Sequence, residues 1–264
     1  MQERNDPGRK HIGRRIGHYA SIESTNALAA ALPCDPAHHG LVIIADEQTA
    51  GRGQYGRHWV APPGSSVLMS IVLYPLPELL RPALLCAWAA VSVAEVVFGA
   101  TGRQSRIKWP NDVLLKGRKI AGILVEQARS TVLGIGLNVT QSAENFERAG
   151  LPQAGSLASV TGQSLKTSEI ARALIERLDA EYDDLLHGET PALESRWKWH
   201  FGLLGHEVIA VDAGGDTHRG RLRDMTFDRI ELEQPCGVNR LRPEVVRQLL
   251  PAQMAAEELG ANNS

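Results

Sequence analysis

The stretch Gly51-Arg52-Gly53-Gln54-Tyr55-Gly56-Arg57 is followed at once by His58-Trp59-Val60-Ala61-Pro62-Pro63-Gly64. That succession excludes the fold to which such a glycine spacing most often belongs. Gly51-x-Gly53-x-x-Gly56 serves a dinucleotide-binding βαβ unit only where a helix opens at the third glycine, because that helix's N-terminus meets the pyrophosphate. Two prolines and a glycine within one turn forbid a helical interior and favour an extended or turning path. The segment therefore reads as a flexible loop between two strands. Absent side chains let backbone N–H groups approach an anion, and Arg52 and Arg57 add positive charge. An exposed basic turn is the plainer alternative.

The flanking pattern supports the strands. The β-branched run at 41–45 reads as a buried strand feeding the loop, and 67–74 reads as its partner beyond it. Upstream, 16–22 is extended, and Ser24-Thr25-Asn26 precedes a short helix over 27–32, capped by Ser24 or Thr25 and ended by Pro33. Residues 82–98 are almost wholly apolar, which suits a helix buried against a sheet. Strand-like pieces at 107–109, 113–115 and 120–125 form a meander, and 132–139 adds another strand. The Gly-, Ser- and Ala-rich stretch 141–165 reads as a surface excursion. A helix capped by Thr167 or Ser168 follows, with Ile170, Leu174, Leu178, Tyr182 and Leu185 on one apolar face. After Trp197 and Trp199 come short strands at 207–211, 217–222, 229–233 and 238–241, read as a small β-barrel. The expected class is α/β (α+β), a mixed sheet with packed helices plus a small C-terminal β-barrel. The expected division is a polar N-terminal tail over 1–15, a larger domain over 16–200, the barrel over 201–251 and a C-terminal tail over 252–264.

Composition narrows the function classes. With 43% hydrophobic and 22% charged residues in 264, the chain is an ordinary globular one, and its net charge of -2 gives no field for nucleic acid. Arg4, Arg9, Lys10, Arg14 and Arg15 are concentrated in the first eighteen residues, read as part of a frayed tail. No apolar run is read as long enough to span a bilayer, and no secretory signal stands at the start. Cys34, Cys86 and Cys236 are too few and scattered for a disulfide framework or a zinc site. A cytoplasmic protein with neither membrane nor nucleic-acid partner is expected.

A second group of unusual residues runs Lys108-Trp109-Pro110-Asn111-Asp112, then Arg118-Lys119-Ile120-Ala121-Gly122-Ile123-Leu124-Val125-Glu126. Pro110 shapes a turn that projects Asn111 and Asp112, and Lys119 enters a strand of small and apolar residues. An ammonium there suits a carboxylate or acyl phosphate, whereas membership of a solvated basic turn is the alternative. Gly134-Ile135-Gly136-Leu137-Asn138 permits a ligand close to backbone. Ser24, Thr25 and Asn26 either cap their helix or, with Gln48, hydrogen-bond a neutral polar ring.

In this order and spacing, these motifs resemble those of biotin protein ligases, over residues 24–138, and the small β domain falls where that family's C-terminal domain does. The resemblance implies a fold related to class II aminoacyl-tRNA synthetases and a reaction using biotin, ATP and Mg2+. It implies that Ser24, Thr25, Asn26 and Gln48 hold the biotin head group. Arg52, Gly53 and Gln54 would lie at the carboxylate and adenylate, with Lys119 on the carboxylate and α-phosphate. Gly122, Ile123 and Gly134 would shape the pocket, Arg57 would meet the ATP phosphates, and Asn111 and Asn138 would serve the nucleotide or metal. Trp59 would stack on adenine, or is an ordinary core aromatic. Arg52, Arg57 and Lys119 are the expected catalytic residues; no metal ligand is assigned. The implied partner is the biotin carboxyl carrier domain of acetyl-CoA carboxylase or another biotin-dependent carboxylase, and the enzyme would be a monomer or homodimer. Gln54 stands where the family often has arginine, so Tyr55 or Arg57 would have to compensate for a missing charge. Asp112 either positions magnesium, takes a proton from the acceptor lysine or stabilises its turn. A lipoate or octanoate ligase, a biotin-responsive regulator and a non-catalytic nucleotide-binding adaptor are the competing readings. Only 23 residues precede Ser24, too few for a helix-turn-helix domain.

Overall fold

The computed structural model describes residues 2–253. Eight strands form one mixed sheet: β1 (Gln2–Asn5), β2 (Arg15–Ile22), β3 (Val42–Gln48), β4 (Ser66–Leu73), β5 (Ser105–Lys108), β6 (Asp112–Leu115), β7 (Arg118–Gln127) and β8 (Thr131–Asn138), in the order β1-β2-β3-β4-β8-β7-β6-β5. Among the described strands of this sheet, β2 and β3 alone pair in parallel. That pairing needs a crossover, which α1 (Thr25–Ala31) supplies. The glycine loop joins β3 to β4, as the sequence predicts.

Strand alternation gives the sheet two unlike faces. Leu133, Ile135 and Leu137 of β8, with Val67, Met69, Ile71 and Leu73 of β4, belong to the main core. Packed there are α2 (Pro82–Thr101), α5 (Thr167–Leu186) and α6 (Thr190–Phe201). The intervening residues face the other way, where Val72 and Val132 meet Ile43 and Ala29 in a smaller cluster under α1. Gly134 and Gly136 share that second face. Glu181, 1% exposed on α5, pairs with Arg196 of α6 at 2.5 Å and with Arg177, and both arginines also meet Glu95 of α2. The three helices are thus joined by charge as well as by apolar contact.

Several expectations need correction. The basic N-terminal segment is not a frayed tail: β1 pairs antiparallel with β2, and the Asp179 carboxylate accepts the backbone N–H groups of Lys10, His11 and Ile12 at 2.9, 2.7 and 2.7 Å. An acid on α5, 169 residues away at most, is a partner that local reading cannot find. The helix α2 is long and apolar enough to cross a membrane by length and composition, contrary to the reading of its run, yet Leu84, Leu85, Trp88, Val91 and Val93 are fully buried against the sheet and neighbouring helices. The stretch 141–165 contains α3 (Ala143–Arg148) and α4 (Leu157–Thr161), and it buries Phe146, Ser156 and Leu157. Lys166, not Thr167 or Ser168, occupies the N-cap of α5.

The C-terminal strands β9 (Glu207–Asp212), β10 (Thr217–Met225), β11 (Ile230–Gln234), β12 (Gly237–Leu241) and β13 (Val246–Pro251) make a five-stranded antiparallel sheet in the order β12-β11-β10-β9-β13. It is not the expected closed barrel, because among the described residues β12 and β13 remain its two edges. Trp109 Nε1 donates to the Val246 carbonyl at 2.8 Å, and Trp197 lies 6.0 Å from Trp109 and 5.1 Å from Phe227 between ring centroids. This aromatic seam joins the second sheet to the first. Of the expected tail over 252–264, residues 254–264 lie outside the described residues.

Candidate active site

Two clusters meet on the face of the large sheet that carries α1. The first is polar. Ser24 Oγ accepts the Ala27 N–H at 3.3 Å and caps α1, so capping is its observed role. Thr25 donates through its backbone N and its hydroxyl to Gln48 Oε1, at 2.7 and 3.0 Å. Ser70 Oγ stands 2.7 Å from Thr25 Oγ1 and 2.5 Å from Asn26 Oδ1, and its one proton serves either. Asn26 Nδ2 donates to Glu126 Oε2 at 2.7 Å. A Cβ on Gly134 would come within 2.9 Å of Asn26 Cγ, so the missing side chain makes room for this amide. Gly134 therefore seats Asn26 rather than opening bare backbone. Thr25, Asn26 and Ser70 are all buried, which makes each neutral donor and acceptor costly to leave unpaired, by about 1–3 kcal/mol.

The second cluster is cationic and aromatic. The glycine loop folds back on itself: Gly53 N donates to Arg57 O at 2.7 Å and Trp59 N to Gly51 O at 3.0 Å. Tyr55 turns the tip in a left-handed conformation (φ 56°) that glycine adopts more readily, and its side chain is 64% exposed. Gln54 lies in the same turn, and Arg57 projects outward. The returning strand lays the Trp59 indole on Gly136 and Gly122, which are register partners on β8 and β7. Cβ atoms there would stand 2.5 Å from Trp59 Cε2 and 3.1 Å from Cζ3 respectively.

Lys119 reaches this seat through a bulge. The register shifts opposite Val113 and Leu114, leaving Ile120 as the extra residue of β7. Ile120 turns into the core, and Lys119 shares the face of Gly122 instead of alternating away from it. Its Nζ is 2.6 Å from Asp112 Oδ1 and 6.0 Å from the Trp59 ring centroid. On the backbone, Lys119 N donates to Gln153 O and Lys119 O accepts from Gly155 N, both at 2.9 Å. The segment read as surface loop thus brackets the lysine. Arg52 Nη1, 3.6 Å from Glu126 Oε1, links the second cluster to the first. Below the turn, Cys86 Sγ donates to Pro110 O at 3.3 Å, and burial pushes its thiol up to about 12.

Some candidates stand elsewhere than expected. Asn111 spends its amide on the Ile123 carbonyl at 2.6 Å, and its own carbonyl accepts from Ile123 N at 2.9 Å. Asn138 is buried, donating to Gly155 O at 3.0 Å and facing Ser66 Oγ at 3.3 Å. Both hold strands and loops together. The Ile123 side chain lies in the main core, on the opposite face from the clusters. Ser70 and Glu126 are functional candidates that reading the sequence left unassigned; a serine inside the apolar strand Ser66–Leu73 and an acid ending an apolar strand were the available signals. Among the described residues, no group of three or more His, Cys, Asp or Glu side chains is gathered to hold a metal ion.

Residues 19–141 match the Biotin/lipoate A/B protein ligase family. A biotin:acetyl-CoA-carboxylase ligase of Paracoccus denitrificans is 33% identical over 255 residues, covering 88% of this chain and 96% of that protein. The bifunctional ligase/repressor BirA of Bacillus spizizenii is 34% identical over 211 residues, or 77% of this chain, and the match spans 65% of that relative's length. Among solved structures, biotin protein ligase from Aquifex aeolicus in complex with biotin and ATP has the same fold, with a TM-score of 0.75 at 23% identity, covering 90% of this chain and 99% of that one.

Proposed function

This chain belongs to the Biotin/lipoate A/B protein ligase family, and on that premise we propose that it is an ATP-dependent biotin protein ligase that modifies a lysine of a biotin carboxyl carrier domain. The observation that carries the reading is the adjacency of the two clusters. Gly134 and Gly136 are alternate residues of β8, so the Asn26 network and the Trp59–Lys119 pair sit about 7 Å apart on one face. That arrangement fits a ligand with a neutral, amide-like ring at one end and a carboxylate at the other. Thr25, Asn26, Gln48 and Ser70 offer matched donors and acceptors for the ring, and Lys119 offers an ammonium for the acid.

In the first step a biotin carboxylate oxygen attacks the α-phosphorus of ATP, the bond to the β-phosphate oxygen breaks, and pyrophosphate leaves. Both reactants are anions, so the site must supply positive charge where they meet. Lys119, held by Asp112, would exchange that carboxylate for biotin's and contact the α-phosphate. Arg52 and Gly53 would close over the adenylate, and Arg57 would meet the departing phosphates. Trp59, fixed on its two glycines, would offer a flat surface to adenine. Asp112 and Glu126, oxygen donors on this face, would hold the magnesium that accompanies ATP, whose charge would offset that of the phosphates. In the second step the carrier lysine, as free amine, attacks the acyl carbon, AMP leaves, and an amide forms. Asp112, released from Lys119, would take the ammonium's proton.

The test is incubation of the purified protein with biotin, ATP, Mg2+ and an isolated carrier domain, followed by intact-mass measurement. Addition of one biotinyl group at a single lysine is expected. Addition of lipoyl or octanoyl but not biotinyl groups would move the chain to the lipoate branch, and no acylation would refute the activity.

A further inference from the structure

The glycine loop has a contact from outside its own sheet. Arg247 is the extra residue of a bulge in β13, where the register with β9 shifts between Val246 and Gln248. Bulges re-aim a side chain, and this one puts the Arg247 guanidinium 5.5 Å from the centroid of the Tyr55 ring. The adjacent Val246 carbonyl is held by Trp109 Nε1, so the arm is anchored on the large sheet. Arg247 is exposed, and among the described residues no carboxylate forms an ion pair with it. Its partner Tyr55 is the left-handed residue at the loop tip, beside Gln54, which brings no charge of its own.

The geometry points to Arg247 as a positioning residue that holds the glycine loop closed through Tyr55, so that the C-terminal sheet sets how long the acyl-adenylate is retained. This rests on the adenylate-forming activity proposed above. The loop carries Arg52 and Arg57, and closure over a reactive mixed anhydride keeps water out until the carrier lysine arrives. A cation from the second sheet supplies the grip that Gln54 does not. Because the contact passes through a ring, its strength follows the presence of a cation and an aromatic rather than the fold of either sheet.

Two readouts separate this inference from the activity on which it rests. Trypsin cleavage at Arg52 and Arg57, followed by mass spectrometry on the full chain without substrates, reports loop opening. Release of labelled biotinyl-adenylate from the preloaded protein reports retention. Arg247→Ala is expected to raise both rates roughly two- to fivefold, the range an exposed cation–π contact supports. Arg247→Lys, which keeps the cation, should stay within twofold of the native chain, and Arg247→Ala should add nothing to Tyr55→Ala. Effects of the two alanine changes that multiply, or an Arg247→Ala variant with native cleavage and release, would overturn the inference. A native chain that forms no adenylate would overturn the activity and the retention role together, while faster cleavage in Arg247→Ala would still establish the clamp.

Discussion

Replacing Gly136 with alanine tests whether the seat under Trp59 matters to chemistry. The added Cβ would lie 2.5 Å from Trp59 Cε2, 2.7 Å from Cζ2 and 2.9 Å from Cδ2, whereas ordinary contact begins at 3.4 Å. The indole must therefore lift by about 0.9 Å, since the atom it meets belongs to a rigid ring whose backbone N–H is tied to Gly51. Overpacking of this kind costs about 1–3 kcal/mol in stability. A misplacement near 1 Å of a group that orients a substrate costs up to about 100-fold in rate. In a biotin-dependent pyrophosphate exchange assay, Gly136→Ala is expected to lower kcat/KM for ATP by roughly 10- to 100-fold, with the KM for biotin changed far less. Gly134→Ala displaces Asn26 instead, and should raise the KM for biotin with ATP little affected. Gly99→Ala, in an open position on α2, is the control and should stabilise by about 0.5–1 kcal/mol. Native kinetics in Gly136→Ala, or the same change in both substrate constants for both variants, would refute the division of the site.

Three further outcomes follow from the rest of the molecule. Asp179→Ala leaves three backbone N–H groups without their acceptor and should lower stability by about 3 kcal/mol or more, read as a Tm about 6–12 °C lower and as new proteolysis near residue 10. An unchanged Tm would return the segment to a tail. His39 and His200 are held below the ordinary histidine value, chiefly by burial and, for His39, also by the neighbouring His11. On acidification the unfolded chain protonates first, so the stability they allow is full above about pH 6.5 and is lost as pH falls from there toward their folded values. Thermal melts at pH 7.5 and 5.5 should show that decline, smaller in His39→Gln; a flat or inverted dependence would contradict it. Iodoacetamide at pH 8 should label exposed Cys34 and Cys236 and spare Cys86 in the folded protein, because its thiol is pushed up to about 12.

Strands β2 to β12, α1, α2 and the apolar face of α5 were legible in the sequence because each is written in local apolar patterning, whereas β1 was read as tail and β13 was not read at all. The glycine loop was legible for the same reason: Pro62 and Pro63 exclude the helix that its spacing otherwise calls for. What escaped reading depends on distant partners. Asp179 orders the N-terminal segment from a helix far along the chain, and Trp109 binds a carbonyl of β13. The bulge at Ile120 that turns Lys119 to the site is a register shift between β6 and β7, and strict alternation along β7 would have put Lys119 on the core face. Asn111 and Asn138 show the converse: amides in a motif carry no mark of whether they meet a ligand or a backbone carbonyl. The open C-terminal sheet was read as a barrel because short alternating strands look alike in both.

The central claim is that Lys119, paired with Asp112 beside Trp59, makes an acyl-adenylate from biotin. Exchange of labelled pyrophosphate into ATP by the purified protein measures that step without a carrier, run with biotin, with lipoate or octanoate, and with Lys119→Ala. Exchange with biotin alone, abolished in Lys119→Ala, is the predicted result. Undiminished exchange in Lys119→Ala, or exchange with lipoate or octanoate only, would contradict it.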